Sequence, residues 1–151
     1  APIYNKYNLN VIAIDISKDM IELAKIKHKK YLSKTNFLIQ DMVKIPIDDC
    51  SVDLAICFRF VPWIVSFKEA KVALSELSRV CNKYAIIELC VGKHNTSNNI
   101  INEENTLWDN YNKEQLTIWL KEFNFEVIDV KFLYDDKEHP GLSAFLCKKI
   151  N

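Results

Sequence analysis

Asp15 and Asp41 are the residues whose type and placement best suit chemistry in this sequence. Each closes a short apolar run: Val11-Ile12-Ala13-Ile14 leads into Asp15, and Phe37-Leu38-Ile39-Gln40 leads into Asp41. A carboxylate at a strand end, just before a helix, can accept two hydrogen bonds from the vicinal hydroxyls of a ribose. One strand over, the second carboxylate can accept from the exocyclic amine of an adenine while the amide of Met42 donates to a ring nitrogen. Spacing alone serves equally well a plainer role for Asp15, in which it only helps Ser17 start a helix. A single loop aspartate such as Asp41 is also ordinary turn chemistry. Two acids at the ends of adjacent strands are harder to dismiss than one. Arg59, one of only two arginines, follows an apolar run and can anchor an anionic group. The competing reading is a surface arginine paired with a nearby acid. His94 falls in a loop within reach of the same strand ends, His28 and His139 are worse placed, and no general base stands out.

The composition removes several other chemistries. Two glycines, Gly92 and Gly141, stand against a usual share of about 7%. No glycine-rich phosphate loop can be written from them. Five cysteines, Cys50, Cys57, Cys81, Cys90 and Cys147, are scattered and form no C-x-x-C pair, which leaves zinc-knuckle and redox motifs without support. Free thiols inside apolar runs read as buried hydrophobes in a reduced, cytoplasmic protein. Twenty basic side chains balance twenty acidic ones, so the long-range attraction used by binders of nucleic acid or anionic membranes is absent. No apolar stretch approaches a membrane span, and no charged-then-apolar signal opens the chain.

The elements that must position these residues alternate between periods of two and 3.6, as a βαβ protein requires. Strands are expected at Asn10–Asp15, Phe37–Gln40, Val52–Cys57 and Tyr84–Cys90, with a closing antiparallel pair at Phe125–Leu133 and Ser143–Ile150. Ser17 caps a first helix with an inward stripe of Met20, Leu23, Ala24, His28 and Tyr31. Ser66 and Glu69 open a second, which faces inward through Phe67, Ala70, Leu74, Leu77 and Cys81. Asn112 and Gln115 open a third, whose stripe is Leu116, Trp119, Leu120 and Phe123. At 151 residues the chain is expected to form one α/β domain, a Rossmann-like, mostly parallel sheet with helices on both faces and an antiparallel C-terminal pair. Ligands of such sheets sit at the carboxyl ends of the strands, which directs attention to Asp15-Ile16, Asp41-Met42, Cys57 to Trp63 and the loop after Cys90.

The run Val11-Ile12-Ala13-Ile14-Asp15-Ile16-Ser17-Lys18-Asp19-Met20-Ile21-Glu22-Leu23-Ala24 resembles the motif after the glycine loop in class I S-adenosylmethionine-dependent methyltransferases. Asn36 to Met42, Ile45 to Asp49 and Ser51 to Ala55 are similar to the next two motifs in order and spacing. Leu74 to Val80 with Tyr84 to Glu88 resembles the fourth, and the closing runs at Phe125 and Phe145 also fit. The resemblance covers essentially the whole chain. It implies that S-adenosylmethionine is the cofactor, that Asp15 binds its ribose and that Ile16 packs on the adenine. It further implies that Asp41 and Met42 recognise the adenine edge, and that Cys57 lends main-chain contacts near the methionine moiety. Phe58, Arg59, Phe60 and Trp63 would then line the reaction centre. Trp108 and Tyr111 would help to wall an aromatic or apolar pocket, with residues 93–111 as a lid.

The chain departs from that family in lacking the first strand and its glycine-rich loop. Ala1 to Tyr7 resembles the helix that directly follows this loop. The domain, residues 1–151, is therefore expected to be N-terminally incomplete, with its central strand missing from between the strands ending at Asp15 and Cys57; direct pairing of those two strands would overturn this. Cys81-Asn82-Lys83 replaces a proline-glycine turn, and asparagine can supply the positive φ of a turn there. Neither the Asn/Asp-Pro-Pro-aromatic signature of amino-group methylation nor the proline-cysteine pair of cytosine methylation follows Cys57. Aspartates to hold a magnesium ion after the third strand are also missing, so no metal site is expected. What remains is methyl transfer to a small-molecule acceptor by in-line displacement, with no nucleic-acid or membrane partner. The alternatives are a non-catalytic methyltransferase-like partner or regulatory subunit and, against the antiparallel pair and the Asp41-Met42 block, a nicotinamide-dependent Rossmann enzyme.

Overall fold

The computed structural model describes residues 7–63, 66–92, 111–134 and 141–150, with Tyr31, Trp63 and Tyr134 described by their backbones alone. The chain divides into two compact units, Ala1–Pro46 and Ile47–Asn151.

In the first unit β1 (Val11–Asp15) leads through α1 (Lys18–Lys27) and a 3-10 turn (Lys29–Lys34) to β2 (Thr35–Ile39). An intervening helix brings the chain back to the same end of the sheet, so the two strands pair in parallel, from Val11 opposite Thr35 to Asp15 opposite Ile39. Ser17 is the N-cap of α1, its hydroxyl accepting from the amide of Met20 at 3.3 Å, and Asp19 lies in the first turn where the helix dipole favours a carboxylate. The expected inward stripe is corrected. Ile21 is the buried residue of α1, while Met20 and Leu23 are 53% and 42% exposed. Apolar side chains occupy two adjacent stripes of this helix, so periodicity alone does not choose between them. The α-helix also stops at Lys27, and Tyr31 belongs to the following 3-10 turn, where the 3.6-residue register no longer applies.

The second unit contains β3 (Val52–Cys57), α2 (Phe67–Val80), β4 (Cys81–Cys90), α3 (Lys113–Lys121), β5 (Phe125–Tyr134) and β6 (Leu142–Lys149). Its sheet has the order β3-β4-β6-β5. β3 and β4 are parallel, and β6 runs antiparallel to both β4 and β5. The closing pair thus forms as expected, and β6 also inserts between β5 and β4, which pairing of neighbours in sequence does not reveal. Among the described residues β1 pairs only with β2 and β3 only with β4.

The core of this unit lies on one side of the sheet. Phe67, Ala70, Leu74 and Leu77 of α2 are buried, as are Leu116, Trp119 and Leu120 of α3 and Ala85, Ile87, Phe145 and Cys147 of the strands. The rings of Tyr111, Phe67, Trp119 and Phe123 meet edge to face in series, with centroids 5.3, 5.6 and 5.4 Å apart, the arrangement that aromatic quadrupoles favour. Both sequence-read caps form: Ser66 accepts from the amide of Glu69, and Asn112 and Gln115 make a reciprocal capping box. The turn expected at Asn82 does not. α2 passes directly into β4, with Cys81 already extended at φ −75° and ψ 128° and completely buried as the first strand residue. Gly141 opens β6 at φ +75°, where an added Cβ would stand 1.9 Å from the carbonyl oxygen of Val91; no other residue type fits.

Candidate functional site

Parallel pairing carries the ends of β1 and β2 to one edge of the first unit. The ladder continues one step past β2, with the amide of Gln40 donating to the carbonyl of Asp15 at 3.0 Å, so Asp41 follows immediately beyond the last bond. Both carboxylates are half-buried, and each is aimed by its own local turn. Oδ1 of Asp15 accepts from the amide of Ser17 at 2.8 Å, and Oδ1 of Asp41 accepts from the amide of Val43 at 3.1 Å. The plain turn-forming roles weighed for these acids are therefore real, but each occupies a single oxygen. Neither Oδ2 bonds a described residue. Ile16 is 68% exposed beside Asp15, an apolar surface next to an oriented acceptor, and Met42 is half-buried. Two fixed acceptors with an apolar neighbour fit the hydroxyls, amine and flat face of an adenosine.

The remaining sequence-predicted residues lie in the second unit. Cys57 ends β3 and is buried. Burial pushes its thiol up to about 12, the backbone of Val61 opposing and the charge of Glu88 adding to that rise. Such burial works against thiolate formation and so against use as a nucleophile. Phe58 and Arg59 follow on the surface, with Phe60 half-buried behind them. Arg59 adopts φ 56°, a left-handed conformation that costs a side-chain-bearing residue energy. Tyr111 is buried with its ring edge against Phe67, and its carbonyl accepts from the amide of Gly92 at 2.8 Å. Trp63 is placed as the last residue of a short 3-10 turn. Trp108, His94, His139 and residues 93–110 of the lid expected over 93–111 lie outside the described residues.

Sequence reading missed Glu88. It stands two residues before the end of β4, is 3% exposed and is the one buried charged residue among those described. Its Oε1 accepts from the amide of Arg59 at 3.1 Å. The available signal was an acid inside the most apolar strand of the chain. Arg79, the other arginine, has a structural task. It forks onto both oxygens of Glu76 at 2.8 and 2.9 Å and reaches Asp49 at 2.6 Å and the carbonyl of Ile47 at 2.9 Å, tying the loop before β3 to α2. These partners raise its pKa further above an already high value.

The sequence matches a family model described as a methyltransferase domain over residues 1–87. The chain belongs to this methyltransferase family. Its chemistry is methyl transfer, and its methyl donor is S-adenosylmethionine. A search of curated proteins finds no match. Among solved structures, an S-adenosylmethionine-dependent methyltransferase from Methanosarcina mazei superposes with a TM-score of 0.70 at 15% identity, over 92% of this chain and 81% of that one. The 1,6-didemethyltoxoflavin-N1-methyltransferase of Burkholderia thailandensis, solved with its substrate and S-adenosylhomocysteine, gives 0.73 at 12% identity over 98% and 64%. The magnesium protoporphyrin IX methyltransferase of Synechocystis PCC 6803, solved with bound S-adenosylmethionine, gives 0.66 at 14% over 92% and 59%. At such identities the likeness establishes the Rossmann-like methyltransferase fold. Among the described residues no helix is long and apolar enough to cross a membrane.

Proposed function

We propose that the chain transfers the methyl group of S-adenosylmethionine to a small-molecule acceptor by in-line displacement. The observation that carries this reading is the pair of oriented carboxylates, Asp15 and Asp41, at the ends of adjacent parallel strands, each with an oxygen to spare. When bound, the cofactor supplies an electrophilic sulfonium methyl. Asp15 accepts from the ribose hydroxyls, Ile16 packs against the adenine, and Asp41 with the amide of Met42 reads the adenine edge. Cys57 contributes main-chain contacts toward the methionine end. Phe58, Arg59 and Trp63 line the acceptor site, where Arg59 offers a cation to an anionic substituent; Tyr111, expected in the same wall, instead packs its buried ring on Phe67. Alignment and exclusion of water are the main demands of such a displacement, which is why no general base is assigned. The neutral net charge and the small acceptors named for two structural neighbours support a small-molecule substrate. We also take residues 1–151 as one methyltransferase domain, because the family match runs across the boundary between the two units.

Calorimetric titration of S-adenosylhomocysteine into the protein tests this reading, with Asp15→Ala as the comparison. Micromolar binding that weakens by about tenfold or more in the variant, as loss of charge-assisted hydrogen bonds requires, supports it. An absence of binding to folded wild-type protein overturns it in favour of a non-catalytic relative.

A further inference from the structure

We infer that Glu88 is a positioning residue, whose buried carboxylate holds the turn after β3 in its left-handed conformation and so sets the main chain from Cys57 to Arg59. This assignment rests on the functional reading above for its consequence, though not for its geometry.

Burying a carboxylate is costly unless its oxygens are satisfied, and such groups persist where they hold something in place. Glu88 lies in β4 one position beyond Ile87, which pairs with Cys57 at the end of β3. Its side chain therefore stands where the chain leaves β3. The bond from the Arg59 amide to Oε1 spans 29 residues of sequence and joins two neighbouring strands beyond the last step of their ladder. Arg59 donates this bond at φ 56°, a backbone state that glycine adopts readily and arginine does not. This hydrogen bond thus offsets the conformational cost at Arg59. The result is a bend at Arg59 and Phe60, just after Cys57, with Phe58 and Arg59 on the surface and Val61 fully buried two residues later. Were Glu88 a surface acid without this task, neither its burial nor the strained amide opposite it would be explained.

Three variants separate the possibilities: Glu88→Gln, which keeps an acceptor oxygen; Glu88→Met, which keeps the length and loses the acceptor; and Glu88→Met combined with Arg59→Gly, which removes the left-handed penalty. Hydrogen exchange of the Arg59 amide and the affinity for S-adenosylhomocysteine are measured on each. Positioning predicts that exchange at Arg59 quickens and affinity falls about tenfold in Glu88→Met. Glu88→Gln retains most of both, and the added glycine restores affinity without restoring the amide's protection. The assignment is overturned if Glu88→Met leaves exchange and affinity as in wild type, or if Glu88→Gln loses affinity while its Arg59 amide stays protected, which marks a direct ligand contact instead. If Glu88→Met does not fold, exchange at Arg59 in the folded Glu88→Gln protein still decides, since unprotected exchange there overturns the assignment. If wild-type protein binds no S-adenosylhomocysteine, the cofactor reading fails, and the exchange arm still judges Glu88.

Discussion

In the second unit α2 alone buries seven residues, from Phe67 to Val80, whereas α1 in the first buries only Ile21. Ile21 and Ile45 are the only buried apolar residues described before Ile47, and Ile12, Ile16, Met20, Leu23, Ile26, Leu32 and Ile39 are exposed. Among the described residues, those from Val52 onward are held by side-chain packing, including the aromatic series around Phe67. Those from Val11 to Ile39 are held by a five-residue parallel ladder, a serine cap and the turns that aim Asp15 and Asp41. Carboxylate recognition needs oriented oxygens and an open surface.

The sharpest way to break this contrast is to disturb each unit where it is most committed. Gly141→Ala forces a Cβ onto the Val91 carbonyl at a positive φ and is expected to cost about 3 kcal/mol or more in urea denaturation. Leu74→Ala, at a fully buried position, is expected to cost about 3 kcal/mol, and Ile26→Ala, 72% exposed, less than about 0.5 kcal/mol. Comparable losses at Leu74 and Ile26 would erase the distinction. Linkage comes next. S-adenosylhomocysteine at 100 times its Kd adds about 2.7 kcal/mol to any opening that destroys its site. Amides of β1 and β2 should exchange faster than those of β4 and β6 in the free protein and slow markedly when the ligand is added. Equal protection of both sheets without ligand would count against the contrast.

The caps refine it further. Ser66→Ala and Asn112→Ala are expected to lower the stability of the folded protein by about 1 kcal/mol each in the same assay. Ser17→Ala should show itself mainly as faster exchange within α1. The smallest effect concerns pH. Burial pushes the thiols of Cys57 and Cys147 from an ordinary value of 9.0 up to about 12. The native state therefore keeps protons that the unfolded chain releases. Stability from this source is complete below about pH 9 and declines as pH rises from there through about 12. The urea midpoint should fall over that range, and less steeply in Cys147→Ala. At pH 8 exposed Cys50 should be alkylated in the native protein and these two thiols should not.

Much of this architecture was legible because local rules set it. β3 occupies the expected residues, the Ser17, Ser66 and Asn112 caps form, and Leu116, Trp119, Leu120 and Phe123 are buried as their spacing requires. Asp15 and Asp41 stand at strand ends because apolar runs and their terminators are local features. The face of α1 was not legible, since its apolar residues fill two stripes and only packing selects Ile21. Nor was the immediate entry of α2 into β4, where burial of Cys81 replaced a turn.

The sequence by itself determined the element types, their caps and the positions of the acids, because each depends on neighbours a few residues away. Tertiary structure alone decided that β6 lies between β4 and β5, that Arg79 clamps the loop before β3, and that Glu88 meets the amide of Arg59. Those partners are 29 to 32 residues apart in the two side-chain contacts to the main chain. They meet only after strands pair, and strand pairing rewards the total burial of a face, which no short window of sequence encodes.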